Sequence, residues 1–268
     1  RCLTMLQSAP EWVHKLRAEA DQPPLRERVP LSWGGVEIGD AEAKILRQIA
    51  HTFSFQNVSP LRDTANGWIV DGNLTESLAR IALAMRDLGF THVWRNEQLP
   101  VYDVRGHQLG SIERAAVRSL GLRTRAVHLV GETSDGHFWV QQRALNKAND
   151  PGQWDTLMGG MVTAIDTPES ALERETWEEA GFRLDELFSV TWGGVVHVHK
   201  PTSDGASGYI SERIDWYRAT VPNDREPKNQ DGEVERFAKV PRESMIAGIT
   251  AGKFTLEAGL VIAASLGY

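Results

Sequence analysis

Cysteine is almost missing from this chain: Cys2 is the only one among 268 residues. A disulfide framework is therefore excluded and a reducing compartment fits, with Cys2 read as a bystander rather than a nucleophile. Long apolar runs are missing too. No stretch approaches the roughly 18 residues of a membrane span, and the start, RCLTMLQ, lacks a signal-peptide h-region. A cytoplasmic protein without a membrane partner is expected, and the missing initiator Met suggests trimming or a start ahead of Arg1. Positive charge is in deficit as well, with 29 Lys and Arg against 36 Asp and Glu for a formal charge of −7. Such a surface is not built to neutralise many phosphates, so long nucleic acid is not expected as a partner, whereas a small anion met through a metal stays open.

What is present is ordinary globular material, 41% hydrophobic and 24% charged, enough for one large domain or two modest ones. Periodicity predicts helices over 40–50 and 75–88, the second preceded by turn-like Asp71-Gly72-Asn73 and closed by Gly89. FSFQNV and GWIV read as short strands between them. LPVYDVRGHQLG reads as a strand pair around Arg105-Gly106, and SIERAAVRSLGL as a short helix ending at Gly121. This first part, residues 1–122, is α+β and carries no motif with evident chemistry. From Arg123 the pattern changes. RAVHLVGET and HFWVQQRA make a hairpin through Ser134-Asp135-Gly136. SVTWGGVVHVHK, IDWYRATVP and GEVERFAKVP read as further strands, and TLEAGLVIAASLG as a closing helix. Strands on both sides of a central helix predict a mixed sheet with helices on its faces over 123–268.

The central helix carries the chemistry. In GGMVTAIDTPESALERETWEEAGF (159–182), Thr167 is placed to cap it, Pro168 suits its first turn and Gly181 its end. Glu175, Glu178 and Glu179 stand at i, i+3 and i+4, so three carboxylates share one face. Like charges at that spacing destabilise an isolated helix by a few tenths of a kcal/mol per pair. A hard divalent cation, Mg²⁺ or Mn²⁺, would relieve the repulsion through oxygen ligands, and Arg174 would orient a carboxylate beside it. A solvated acidic helix face is the bland alternative, which most charge runs are.

The full spacing resembles the Nudix box, G-x5-E-x7-R-E-U-x-E-E-x-G-U with U a bulky apolar residue. Seven of nine fixed positions match, from Gly160 through Arg174-Glu175 and Glu178-Glu179 to Gly181-Phe182. Asp166 replaces the first Glu and Thr176 an apolar residue; Thr176 is expected to alter only packing, with its methyl toward the sheet. The resemblance implies a Nudix α/β/α sandwich with mixed sheet, preceded by a smaller α+β N-terminal domain that would help shape a substrate pocket. It implies metal-dependent hydrolysis of an organic diphosphate, with Glu175, Glu178, Glu179, Gly160 and, least securely, Asp166 at the metal. Glu178, Glu179 or Glu233 would be the base, with Arg174 assisting. Glu233, in QDGEVERF, reads equally as an exposed turn acid.

In the lead-in RALNKANDPGQWDTLMGG, the resemblance makes Arg143, Lys147, Asp155 and Trp154 candidates for substrate binding, although a surface role suits each basic residue as well. Trp154, Trp192 and Trp216 could each stack on a flat ring, but core packing is the commoner use of Trp. His197 and His199 share a strand face and are not read as metal ligands.

Four segments, LPVYDVRGHQLGSIERAAVRSLG, the lead-in, ISERIDWYRATVP and GKFTLEAGLVIAASLGY, resemble a two-domain Nudix group related to the Nudix portion of fungal thiamine pyrophosphokinases. That likeness implies thiamine diphosphate, or its oxidised forms, as substrate and the monophosphate as product. The alternatives are a nucleoside diphosphate derivative such as ADP-ribose, or a catalytically silent Nudix-fold binding protein, which the retained acids disfavour. An isopentenyl-diphosphate-type isomerase would need a reactive core Cys, for which Cys2 is ill placed. A homodimer, common in the family, belongs among the expected partners.

Overall fold

The computed structural model describes residues 9–56, 58–203 and 207–268. Cys2 and the start RCLTMLQ lie outside them, as does Asn57 of FSFQNV. In chain order the first part holds α1 (Glu11–Ala20), β1 (Val29–Trp33), β2 (Val36–Ala41), α2 (Ala43–Thr52), β3 (Leu61–Thr64), β4 (Gly67–Val70), α3 (Leu74–Asp87), β5 (Gln98–Tyr102) and β6 (Gln108–Glu113). Strands β1 to β4 form one sheet in the order β2-β1-β4-β3, and β5 pairs with β6 alone. Leu31, Ile38, Leu46, Leu78, Leu99 and Ile112 close a common core beneath them.

The helix predicted over 75–88 is α3, whose cap Asn73 accepts the Glu76 amide proton at 3.1 Å. Two local expectations change. Residues 53–56 turn instead of extending, because Phe53 and Gln56 donate their amides back to Ala50 and Phe53 at 3.0 and 2.9 Å, which continues the winding of α2. In SIERAAVRSLGL, Ser111 to Glu113 belong to β6 and only Arg114–Ala116 winds, as a 3-10 turn started by the Glu113 carboxylate accepting from Ala115.

Helix α1 packs away from that core. Leu16 sits against Gly259, Trp12 meets Tyr268 edge-on at 5.9 Å, and Lys200 pairs with Glu19 at 3.2 Å. The helix therefore joins the C-terminal part, a partner hundreds of residues away that no local pattern encodes.

The second part runs β7 (Arg123–Glu132), β8 (His137–Arg143), β9 (Trp154–Asp155), β10 (Met158–Met161), α4 (Pro168–Ala180), β11 (Phe188–Pro201), β12 (Tyr209–Thr220), β13 (Val234–Pro241), α5 (Arg242–Thr250) and α6 (Leu256–Ser265). The sheet order is β11-β12-β7-β8-β13, with β10 added to β7 and β9 to β8. Only β12 and β7 run parallel, so the sheet is mixed as expected. Alternation along β7 divides two layers. Val127 and Leu129 face α4 through Ala171 and Leu172. Ala126 and Val130 face α5 and α6 through Ile249 and Val261.

One departure from a regular sheet positions the site. Strands β7 and β8 pair only next to their turn, at Gly131 with Trp139 and Glu132 with Phe138. They then diverge, β10 taking the freed edge of β7 and β9 that of β8. The acidic face of α4 meets this fork, where Glu179 accepts hydrogen bonds from Gln141 on β8 and Gly159 on β10.

Candidate active site

Helix α4 starts and stops where its sequence says. Thr167 accepts from Ser170 at 3.2 Å, the Ser170 hydroxyl accepts in return from the Thr167 amide at 2.9 Å, and Gly181 takes a left-handed conformation at φ 68°. Thr176 is wholly buried, and its hydroxyl has no hydrogen-bond partner among the described residues.

The three glutamates of the face meet different surroundings. Glu179 is only 2% exposed, and one of its oxygens, Oε2, accepts from Gln141 Nε2 at 2.8 Å and from the Gly159 amide at 3.0 Å. Burial, with the charge of Glu175 adding to it, pushes the Glu179 carboxyl up to about 8. Glu175 is also largely buried, which lifts it to about 7 against the pull of Arg174. Glu178 stays half in solvent and meets Arg174 at 3.0 Å.

Arg174 also reaches Glu175 at 2.9 Å and Asp166 at 2.6 Å. Asp166 in turn accepts from the Thr163 hydroxyl and amide at 2.8 and 3.2 Å. Burial alone would raise Asp166, but Arg174 and Thr163 outweigh it and hold the carboxyl below its ordinary value. The residue where the box has Glu thus anchors Arg174 and the loop ahead of the helix.

Glycine is required beneath this face. A Cβ at Gly160 would overlap the carboxyl end of Glu175, and one at Gly159 would lie 2.6 Å from the buried His128 ring. That cradle, with two crowded acids above it, is chemically suited to a hard cation held by carboxylate and backbone oxygen. Among the described residues no group of three or more His, Cys, Asp or Glu is already gathered as a metal cage. The Arg174 guanidinium stands between Glu175 and Glu178 instead.

The lead-in residues divide. Lys147 forms an ion pair with Glu233, 86 residues away. Burial acts to raise the Glu233 carboxyl, yet Lys147 prevails and holds it below its ordinary range. Arg143 lies 3.6 Å from Asp155, with its Nε buried and without a hydrogen-bond partner among the described residues. Asp155 itself is 3% exposed and turned inward, accepting from the Thr156 amide at 2.8 Å and from the Thr255 hydroxyl at 3.3 Å. Trp154 lies beneath Arg236, whose guanidinium is 5.4 Å from its ring centre. Trp216 is buried under Gly193, whereas Trp192 is 58% exposed. His197 and His199 stack at 5.8 Å on their shared strand face.

Gln141 and His128 were not singled out from the sequence. Both are buried polar residues, Gln141 bonded to Glu179 and His128 Nδ1 2.9 Å from Thr156 Oγ1. For His128 the available signal was a lone polar residue within the apolar run AVHLV of β7, whereas Gln141, followed by Gln142 and Arg143, carried no such signal.

On the α5 and α6 side of the sheet a cavity of roughly 1090 Å³ opens between the two parts of the chain, and Glu175, Glu178 and Glu179 are not among its lining residues. Met161, next to Gly160, is on its wall. Arg95, Arg114 and Arg118 line one side and Glu212 and Glu257 another. Burial, reinforced by the charge of Glu212, pushes the Glu257 carboxyl up to about 7.

The fold agrees with comparisons to known proteins. The NUDIX domain family model matches residues 122–258, half of the chain, and the chain belongs to the Nudix family. It is 29% identical to Nudix hydrolase 20, chloroplastic, of Arabidopsis thaliana over 73% of its own length and 54% of that protein. Nudix hydrolase 24, chloroplastic, of the same plant is 30% identical over 62% of this chain and 46% of that protein. The chain thus spans about half the length of these curated relatives. Its fold is similar to the crystal structure of DR0079 from Deinococcus radiodurans, with a TM-score of 0.50 and 25% identity over 62% of this chain and 97% of that one. No helix among the described residues is long and apolar enough to cross a membrane.

Proposed function

We propose that the chain is a metal-dependent pyrophosphohydrolase that cleaves an organic diphosphate at the Glu175, Glu178 and Glu179 face of α4. The observation that carries this reading is the pair of buried carboxyls, Glu175 and Glu179, pushed up to about 7 and about 8 over a glycine cradle. A folded chain that concentrates acid there gains from a cation. Bound Mg²⁺ or Mn²⁺ would neutralise the diphosphate and make a water more acidic.

Glu175, Glu178, Glu179 and the Gly160 backbone would hold the ion, while Asp166 acts through Arg174. Arg174 keeps Glu178 oriented. Glu233 is kept ionised by Lys147 and suits a base, as do Glu178 and Glu179. Lys147 and Arg143 would meet the diphosphate, whereas the burial of Asp155 and the covered ring of Trp154 suit them to supporting the lead-in loop.

Apart from α1, which packs on the C-terminal part, the first 122 residues we read as an α+β unit that contributes to the substrate pocket, since the cavity takes Arg95, Arg114 and Arg118 from it and reaches the end of β10 at Met161. For the substrate we favour thiamine diphosphate or its oxidised forms over a nucleoside diphosphate derivative such as ADP-ribose. The Glu212 and Glu257 carboxyls on the cavity wall suit a cationic ring. The near absence of cysteine keeps the cytoplasm as the proposed compartment.

The test is a panel of thiamine diphosphate, its oxidised forms, ADP-ribose and nucleoside triphosphates under equal conditions with Mg²⁺ or Mn²⁺. Thiamine forms should release monophosphate fastest, and Glu178→Gln should abolish turnover. Equal slow rates on all members overturn the thiamine reading, and no turnover on any overturns the hydrolase reading.

A further inference from the structure

We infer that Gln141 is a positioning residue for Glu179, fixing which carboxylate oxygen the protein presents to a cation. The inference rests on the reading of Glu179 as a cation ligand. Gln141 lies on β8 at the mouth of the fork and is 1% exposed. Its Nε2 donates to Glu179 Oε2 at 2.8 Å, and the Gly159 amide on β10 donates to the same oxygen at 3.0 Å. Two donors, one from β8 and one from β10 across the fork, therefore converge on one oxygen. Among the described residues nothing donates to the other, Oε1, so the carboxylate has one protein-facing oxygen and one available oxygen.

The residue type is informative. At a site with 1% exposure an aliphatic side chain would pack at least as well, and the Gln141 Oε1 atom is buried with no hydrogen-bond partner among the described residues. A buried unpartnered acceptor is costly and calls for a reason. The reason offered by the geometry is the donor on the other side of the amide. Lys or Arg would also donate, but would cancel the charge that Glu179 offers a cation, as Arg174 does for Glu178. An amide holds the carboxylate and leaves its charge intact. Hydrogen bonds that orient a ligand in this way commonly contribute 10- to 100-fold to metal affinity.

The experiment is a titration of the full chain with Mn²⁺, without substrate, followed by paramagnetic resonance and calorimetry. Wild type, Gln141→Met, Gln141→Asn and Glu179→Gln are compared, with melting curves in EDTA to verify folding. Gln141→Met should bind Mn²⁺ about 10- to 100-fold more weakly. Its turnover should recover toward wild type at raised Mn²⁺, a rescue that general damage to the fold would not permit. Gln141→Asn keeps an amide but withdraws it by one methylene, and should weaken binding in the same direction; it decides the matter if Gln141→Met fails to fold. Binding within twofold of wild type in the folded variant, with Glu179→Gln strongly impaired, overturns the role of Gln141 alone. Unchanged binding in Glu179→Gln overturns the ligand reading and this inference with it.

Discussion

Glu179→Gln offers a direct measure of the charge stored on α4. The Glu179 carboxyl titrates at about 8 in the folded chain against an ordinary value of 4.5, chiefly because burial disfavours its charged form. Between those values the folded state holds a proton that the unfolded state has released, so stability is fully present below pH 4.5 and is lost as pH rises through the window. Each pH unit costs about 1.4 kcal/mol, so at pH 7 this one group destabilises the metal-free fold by about 3 kcal/mol. Glutamine has the same shape, carries no charge, and can accept from Gln141 and Gly159 as Glu179 does. In EDTA the variant should therefore melt only slightly above wild type at pH 5. By pH 7 the gap should reach about 5–10 °C for a chain of this size. Mn²⁺ should narrow the gap by stabilising wild type, which binds it, more than the variant. The assay is thermal unfolding by circular dichroism from pH 5 to 8, with and without the cation. A gap that stays constant across this range, or a variant that melts below wild type at pH 8 in EDTA, would refute the electrostatic account.

Three further outcomes follow from named contacts. Gly160→Ala should force the Glu175 carboxyl out of its place, costing about 1–3 kcal/mol by overpacking and lowering kcat at least tenfold; wild-type kcat in a steady-state assay would show that the cradle is not needed. Arg174→Ala should lose about 1–2 kcal/mol in urea unfolding, because Asp166 is left without its strongest partner, with the figure reduced for the partial exposure of Arg174. Arg174→Lys should recover only part of that, since an ammonium cannot span Asp166, Glu175 and Glu178 together. Asp215→Asn should cost about 1–3 kcal/mol at pH 7. Burial would raise this carboxyl, but Arg213 and Arg125 hold it below 3.8, so its contribution is present above that value and lost as pH falls. The variant should accordingly show a shallower acid limb in a pH series of unfolding curves, and an unchanged limb would dismiss the two arginines as its source.

Much of the C-terminal architecture was legible because its determinants are local. Thr167, Pro168 and Gly181 delimit α4 through hydrogen bonds and backbone angles within a few residues of themselves. Gly136 similarly supplies the left-handed turn, at φ 80°, between β7 and β8. The spacing of Glu175, Glu178 and Glu179 also placed three acids within two turns of α4. FSFQNV misled because its alternation suits a strand equally well, while the end of α2 supplies closer hydrogen-bond partners.

The sequence by itself determined a capped helix with three acids on one side and two glycines ahead of it. Only the tertiary structure decided that adjacent residues Glu178 and Glu179 part company, the first half in water beside Arg174, the second buried beneath it against Gln141 and Gly159. It also joined Lys147 to Glu233 and carried α1 across to α6. The physical reason is the same in each case. Desolvation and ion pairing depend on which distant surfaces close over a group, and two glutamates identical in sequence acquire different chemistry only when the sheet forks beneath one of them.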